Sequence, residues 1–313
     1  MSSFRLQALL IACLILTNCN TDIPPFSDSN EESEVDLNTN QNPYNRIYER
    51  NIVFMTTDRD SLIIVPWLFR VSTSQQNVVR KSEGWLFRNG MWESFFTDQE
   101  DFGLIRYPFK VYPSGAMDLV VGSNDVIENI IYEEGLKYLE ISIEEEILEW
   151  HGSQGEMFRI HQGAVNLRDH LLIEGMILDM NRIYTKGSLF PGEWMFLTGP
   201  NDLVVIIRAT EESSNYTAWA RKGDQEYHWP DIEMEWSSVK SFEEARRDIP
   251  IAWRIRSLDG EMDISLTSVS MELDALAGEG PILPVEGLYQ VSGSLILTGD
   301  YLGMRGLVRH VQH

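Results

Sequence analysis

From Asn45 onward the chain consists of short runs of β-branched and aromatic residues, broken at close intervals by Gly, Pro, Asn and Asp. Such runs suit a pleated, half-buried surface, and the breaks mark where the chain reverses. Trp85-Leu86-Phe87-Arg88, then Asn89-Gly90, then Met91-Trp92-Glu93-Ser94-Phe95-Phe96 reads as a hairpin, because Asn-Gly accepts the positive φ angles of a type I′ turn. Tyr138 to Glu144 alternates, with Leu139, Ile141 and Ile143 on one face and acids on the other, as in a sheet with one wet side. Similar runs lie at Leu171 to Leu178, Leu203 to Ile207, Ile251 to Ile255, Met262 to Leu266, Leu288 to Val291 and Leu307 to Val311.

Helix signals are sparse. Ser241-Phe242-Glu243-Glu244 fits a capping box that Ala245-Arg246-Arg247 extends, and Pro250 limits the element to about two turns. Asn124 to Glu134 has apolar residues at helical spacing, although its isoleucines keep a strand open. Many short strands and scarcely any long amphipathic helix imply an all-β chain of antiparallel sandwiches or barrels, not a parallel α/β sheet. The Lys186-Gly187 and Pro191-Gly192 clusters divide the body into two β domains, residues 46–188 and 189–313.

The N-terminus carries a different signal. Arg5 precedes the apolar run Ala8 to Leu16, which is too short to span a bilayer, and Leu16-Thr17-Asn18-Cys19 closes it. This resembles a bacterial lipoprotein signal, with residues 1–18 removed and Cys19 lipidated; Asn18 departs from the small residue usual there. Residues 19–45 hold six acids between Asn20 and Tyr44, no basic residue, and Pro24, Pro25 and Pro43. A segment so poor in apolar surface reads as a disordered tether. The expected location is the cell envelope, on the outer membrane.

Charge and cysteine content narrow the chemistry. A formal net charge of −23 opposes nucleic acid and anionic lipid as partners of the body. Cys13 and Cys19 are the only cysteines, so no disulfide framework or cysteine metal site is expected. The sequence holds no G-x-S-x-G, H-E-x-x-H, P-loop or G-x-G-x-x-G motif, and no cofactor or metal is assigned.

Motif order in the second domain carries a family resemblance. Glu193-Trp194-Met195-Phe196-Leu197 and Asp202 to Arg208 come first, then Trp236-Ser237-Ser238 and Ile249 to Ile255. Val285 to Gly293 and Leu297-Thr298-Gly299 follow. In this order they resemble the hydroxyneurosporene synthase and AttH-like lipocalin family. The resemblance implies two tandem lipocalin-like β units around an apolar pocket for lipid- or isoprenoid-like molecules. Arg182 to Gly187 lacks the histidine that members with hydration chemistry have before the tryptophan-led strand, which argues against catalysis.

Nine Trp supply large rings, each with an N–H to satisfy, which suits an apolar pocket with a few polar groups. Trp194, Trp219, Trp229, Trp236 and Trp253 are the candidate ligand-binding residues, with core packing as the alternative for each. His228, with Glu235 close behind, is the candidate acid–base pair, against a solvated strand face. Asp259-Gly260 reads as a hairpin turn, and His310 and His313 as exposed terminal residues. The expected function is a membrane-anchored, non-catalytic binder of a hydrophobic molecule. A cofactor-independent hydratase or isomerase and a surface carbohydrate or protein interaction module are the alternatives.

Overall fold

Nine of the eleven residues of β1 (Arg46–Thr56) are buried, which alternation on a one-sided sheet does not produce. In the computed structural model the reason is that this strand is covered on both faces. Tyr48, Ile52 and Phe54 face one apolar cluster, while Val53 and Met55 face another. The structure describes residues 45–56, 62–103, 109–151, 156–168, 171–185, 193–209, 215–278 and 280–313. Cys19, the tether and the boundary residues 186–192 lie outside them.

The described chain is all-β. The first lobe is a nine-stranded antiparallel sheet in the order β4-β3-β2-β1-β9-β8-β7-β6-β5. Its strands are β1, β2 (Ile64–Thr73), β3 (Asn77–Arg88), β4 (Met91–Gly103), β5 (Met117–Val121), β6 (Ile127–Glu134), β7 (Lys137–His151), β8 (Met157–Leu167) and β9 (Leu171–Thr185). The sheet curls until its β4 edge comes against β6. Phe95 and Phe96 of β4 lie 5.1 and 5.8 Å from the Tyr132 ring of β6, and the Tyr132 hydroxyl donates to the Phe95 carbonyl at 3.0 Å. Gly84 permits the tight curl, since a Cβ there would come within 2.8 Å of Phe95 and 3.1 Å of Trp67.

The second lobe is a closed eight-stranded barrel. It comprises β10 (Trp194–Thr198), β11 (Val204–Ala209), β12 (Tyr216–Lys222), β13 (Gln225–Phe242), β14 (Arg247–Ser257), β15 (Met262–Ala275), β16 (Val285–Leu297) and β17 (Asp300–Gln312). Pairing of β10 with β17, Trp194 opposite Arg309, shuts it. Met195, Leu197, Val205, Ile207, Trp229, Trp253 and Val308 fill the interior. The intervening residues Trp194, Phe196, Ile206, Trp219 and Leu307 point outward, onto Val53, Met55, Phe158, Ile160 and Leu178 of the first lobe. The seam between the lobes is thus a hydrophobic core in its own right.

Charges rivet one end of that seam. Glu49 accepts from Arg182 Nε at 2.7 Å and from Arg70 Nε at 2.9 Å, and lies 3.7 Å from Arg309 Nη1 of the barrel. Arg70 also reaches Glu286 of the barrel at 2.6 Å. Elsewhere, Arg208 of the barrel pairs with Glu156 at 3.2 Å. Burial alone would raise the Glu49 carboxyl, but the guanidiniums of Arg182, Arg309 and Arg70 outweigh it and hold Glu49 well below the usual carboxylate range.

Two local expectations need comment. The Asn89-Gly90 hairpin is present, with φ angles of 55° and 79°, and Gly260 sits at φ 78° in the turn that joins β14 to β15. The capping-box segment is not a helix: Glu243–Arg246 is the turn of the β13–β14 hairpin, with Phe242 paired to Arg247 and Arg246 at φ 55°. Long strands on either side and the burial of Ala245 beside Ile249 and Val285 override the weak helical signal. Residues 127–134, at helical spacing, form β6.

Trp194→Ala should destabilise the protein by about 3–5 kcal/mol in chemical unfolding, because it empties the seam. Since Glu49 has a depressed carboxyl in the folded state, its contribution is present above the unfolded value of about 4.3 and is lost as pH falls toward the folded value. Glu49→Gln should therefore lower Tm at pH 7 and flatten the decline of Tm between about pH 5 and pH 3 relative to the parent chain.

Candidate functional site

Glu193 immediately precedes β10, which opens with Trp194-Met195. Strand alternation sends Trp194 out to the seam and Met195 inward, so Glu193 also points inward, at one end of the barrel. It is 3% exposed, and a carboxylate so buried must be satisfied by hydrogen bonds. Its Oε1 accepts from His310 Nδ1 at 2.6 Å and from Trp253 Nε1 at 3.4 Å. Its Oε2 accepts from the Tyr216 hydroxyl and from Trp236 Nε1, each at 3.3 Å. Four donors from four further strands thus converge on one carboxylate.

The rings form a cage around this contact. Trp236 packs edge-on to His310 at 5.5 Å, Trp253 edge-on to Tyr289 at 5.3 Å, and Tyr289 edge-on to His310 at 6.2 Å. Gly287 faces His310 across β16 and β17 and leaves room for the Tyr289 ring, which a Cβ there would approach to 2.9 Å. The Tyr289 hydroxyl is buried and makes no hydrogen bond within the protein. Burial, and then the charge of Glu193, pushes the Tyr216 and Tyr289 phenols far above their ordinary value, so both remain O–H donors at neutral pH. Trp236, 40% exposed, is the outermost of these rings.

The chemistry follows from the short contact. With Nδ1–H given to Glu193, Nε2 is the second proton site of His310; it lies 3.4 Å from the Gln312 side-chain oxygen, and when Nε2 carries a lone pair the Gln312 amide must turn its nitrogen toward it. Glu193 then holds the ring and its tautomer, His310 can take and return a proton, and Tyr289 can donate to an oxygen of a bound molecule.

The sequence-derived candidates divide among three places. Trp236 and Trp253 meet on Glu193, and Trp229 lies in the barrel interior, stacked on Tyr227 at 5.8 Å. Trp194 and Trp219 face the seam. His228 is exposed and turned away from the barrel interior, 3.4 Å from the Thr217 hydroxyl, at the rim of a small cleft with Trp150, Phe158 and Arg208. Glu235 is exposed and 3.6 Å from Arg256. His228 and Glu235 are seven residues apart on β13, roughly 23 Å along a strand, so they do not meet.

His310 corrects an expectation. It is fully buried, not an exposed terminal residue, because it lies on the inward face of the strand that closes the barrel and finds Glu193 there. His313 is exposed. Glu193, Tyr289 and His310 were not singled out as site residues, although Glu193 bore a signal: a lone acid entering an otherwise apolar strand, in phase with its inward residues.

No protein-family model and no curated protein matches the sequence. Solved structures do. Kievitone hydratase from Nectria haematococca is similar with a TM-score of 0.53 at 13% identity, over 85% of this chain and 88% of that one. A candidate AttH from Nitrosomonas europaea gives 0.53 at 13% identity, over 87% and 94%. CghA with Sch210972 gives 0.50 at 10% identity, over 86% and 88%. At these identities the likeness is one of fold, and the fold is the AttH-like arrangement of two lipocalin-like β units in tandem.

Proposed function

We propose that the barrel end is an acid–base site for a cofactor-independent hydratase or isomerase acting on a hydrophobic small molecule with an activated double bond. The observation that carries this reading is the 2.6 Å contact between Glu193 and His310, sealed among aromatic rings beside the unpartnered Tyr289 hydroxyl. In hydration, His310 Nε2 takes a proton from water as the water oxygen bonds to the distal alkene carbon. Charge moves to the substrate carbonyl oxygen, where Tyr289 donates a hydrogen bond. The imidazolium, stabilised by Glu193, then returns its proton to the adjacent carbon, and water has been added across the bond. Isomerisation uses the same proton shuttle without water. The shared fold with kievitone hydratase supports the reaction class, and the apolar rings around His310 support an apolar substrate.

Binding without catalysis is the second reading. It is favoured by the saturation of Glu193, whose four donors make it a structural hub as well. In either case the chain is tethered to the outer membrane through lipidated Cys19, with the body carrying the site.

Incubating the full chain with a panel of apolar conjugated enones should yield products heavier by one water in the mass spectrum. His310→Gln should abolish turnover, and Tyr289→Phe should lower kcat by roughly 10²–10³-fold with little change in KM. Saturable binding with no turnover, unchanged in Tyr289→Phe, would leave the binding reading in its place. For the anchor, Cys19→Ala should prevent incorporation of labelled palmitate and move the protein from the membrane to the soluble fraction.

A further inference from the structure

The first lobe holds an unpaired cation in a hollow of its own. Arg80 of β3 lies on the same face as buried Val78, at the rim of a small depression, open to solvent on one side, with room for about one water molecule. Two of its guanidinium nitrogens, Nε and Nη2, are buried with no hydrogen-bond partner. The Ser114 hydroxyl, lining the same hollow, is likewise buried and unpartnered. Glu100 is the cross-strand neighbour of Arg80 in register, yet the two form no ion pair. The guanidinium is instead held face-on by rings, with its carbon 3.9 Å from the centre of Tyr112 and 5.0 Å from that of Phe102.

This geometry selects a ligand class. Stacking on Tyr112 and Phe102 fixes the plane of the guanidinium and leaves its edge to bind. Nε and Nη2 form one such edge, whose two parallel N–H groups match two oxygens of a carboxylate or phosphate. Buried donors left unpaired cost free energy that an oxyanion there would recover. Phe69, Val71 and Val111 make the adjoining wall apolar. Asp98 and Glu100 line the hollow with Arg70, Lys81 and Lys110; Arg70 is paired with Glu49 and Glu286 and Lys81 with Glu83, so the unpaired edge of Arg80 does the selecting.

We infer that this hollow is an oxyanion-binding site, with Arg80 taking two oxygens side-on and Ser114 adding a third contact. It is separate from the barrel end and independent of the reaction there. Its ligand is a small carboxylate or a phosphate lying across the mouth of the hollow.

The test is thermal unfolding and calorimetric titration of the full chain with butyrate and with inorganic phosphate, each against chloride at matched ionic strength. Either oxyanion should raise Tm above the chloride value, and which one does so more strongly identifies the ligand's head group. Arg80→Lys keeps the charge but loses the edge, and should weaken binding by at least about ten-fold while its Tm in chloride stays near that of the parent. Arg80→Gln should abolish binding. Equal Tm in all three salts, or binding that Arg80→Lys leaves unchanged, would overturn the inference.

Discussion

Two-sided burial of the central strands of the first lobe is the constraint on which the rest of the structure depends. A curled sheet with one wet face needs no partner, but β1, β2, β8 and β9 carry apolar residues on both faces and must be covered twice. The barrel supplies the second cover with Trp194, Phe196, Ile206 and Trp219. Each barrel strand on that side therefore has two tasks, divided between alternate residues. At the start of β10, Trp194 seals the seam while Glu193, just before it, meets His310; on β17, Arg309 joins the charge network while His310 faces Glu193. Since Trp194 and Arg309 pair across the strands, seam packing also sets the register that brings the two site residues together.

Glu193 shows how a buried charge is kept. Removing a carboxylate from water costs several kcal/mol unless it is fully bonded, and four donors from β12, β13, β14 and β17 provide the bonds. The donors are themselves large rings, so they also exclude water from the contact. The Glu193–His310 contact is thus shielded from bulk solvent on most sides, which strengthens each electrostatic interaction around it.

The sequence was legible where local chemistry decides. Asn89-Gly90 takes positive φ at both positions because those side chains tolerate it, and Leu139 and Ile141 point one way because a strand alternates. The all-β, two-unit lipocalin-like fold was also readable, from strand patterning and motif order. What could not be read is which strands meet. Continuous burial along β1 erases the period of two, since both faces are apolar for different reasons. His228 and Glu235 look like neighbours in the sequence, but an extended strand carries them apart. His310 looks like a frayed end because nothing near it announces that β17 closes a barrel onto Glu193.

That closure has a consequence for how the protein is made. Glu193 and His310 are separated by 117 residues of chain, and only the final strand pairing of the barrel joins them. Long loops of this kind close late, after local hairpins have formed. A chain still being synthesised holds both residues of the pair without the contact between them. The Glu193–His310 contact exists only once the barrel has closed.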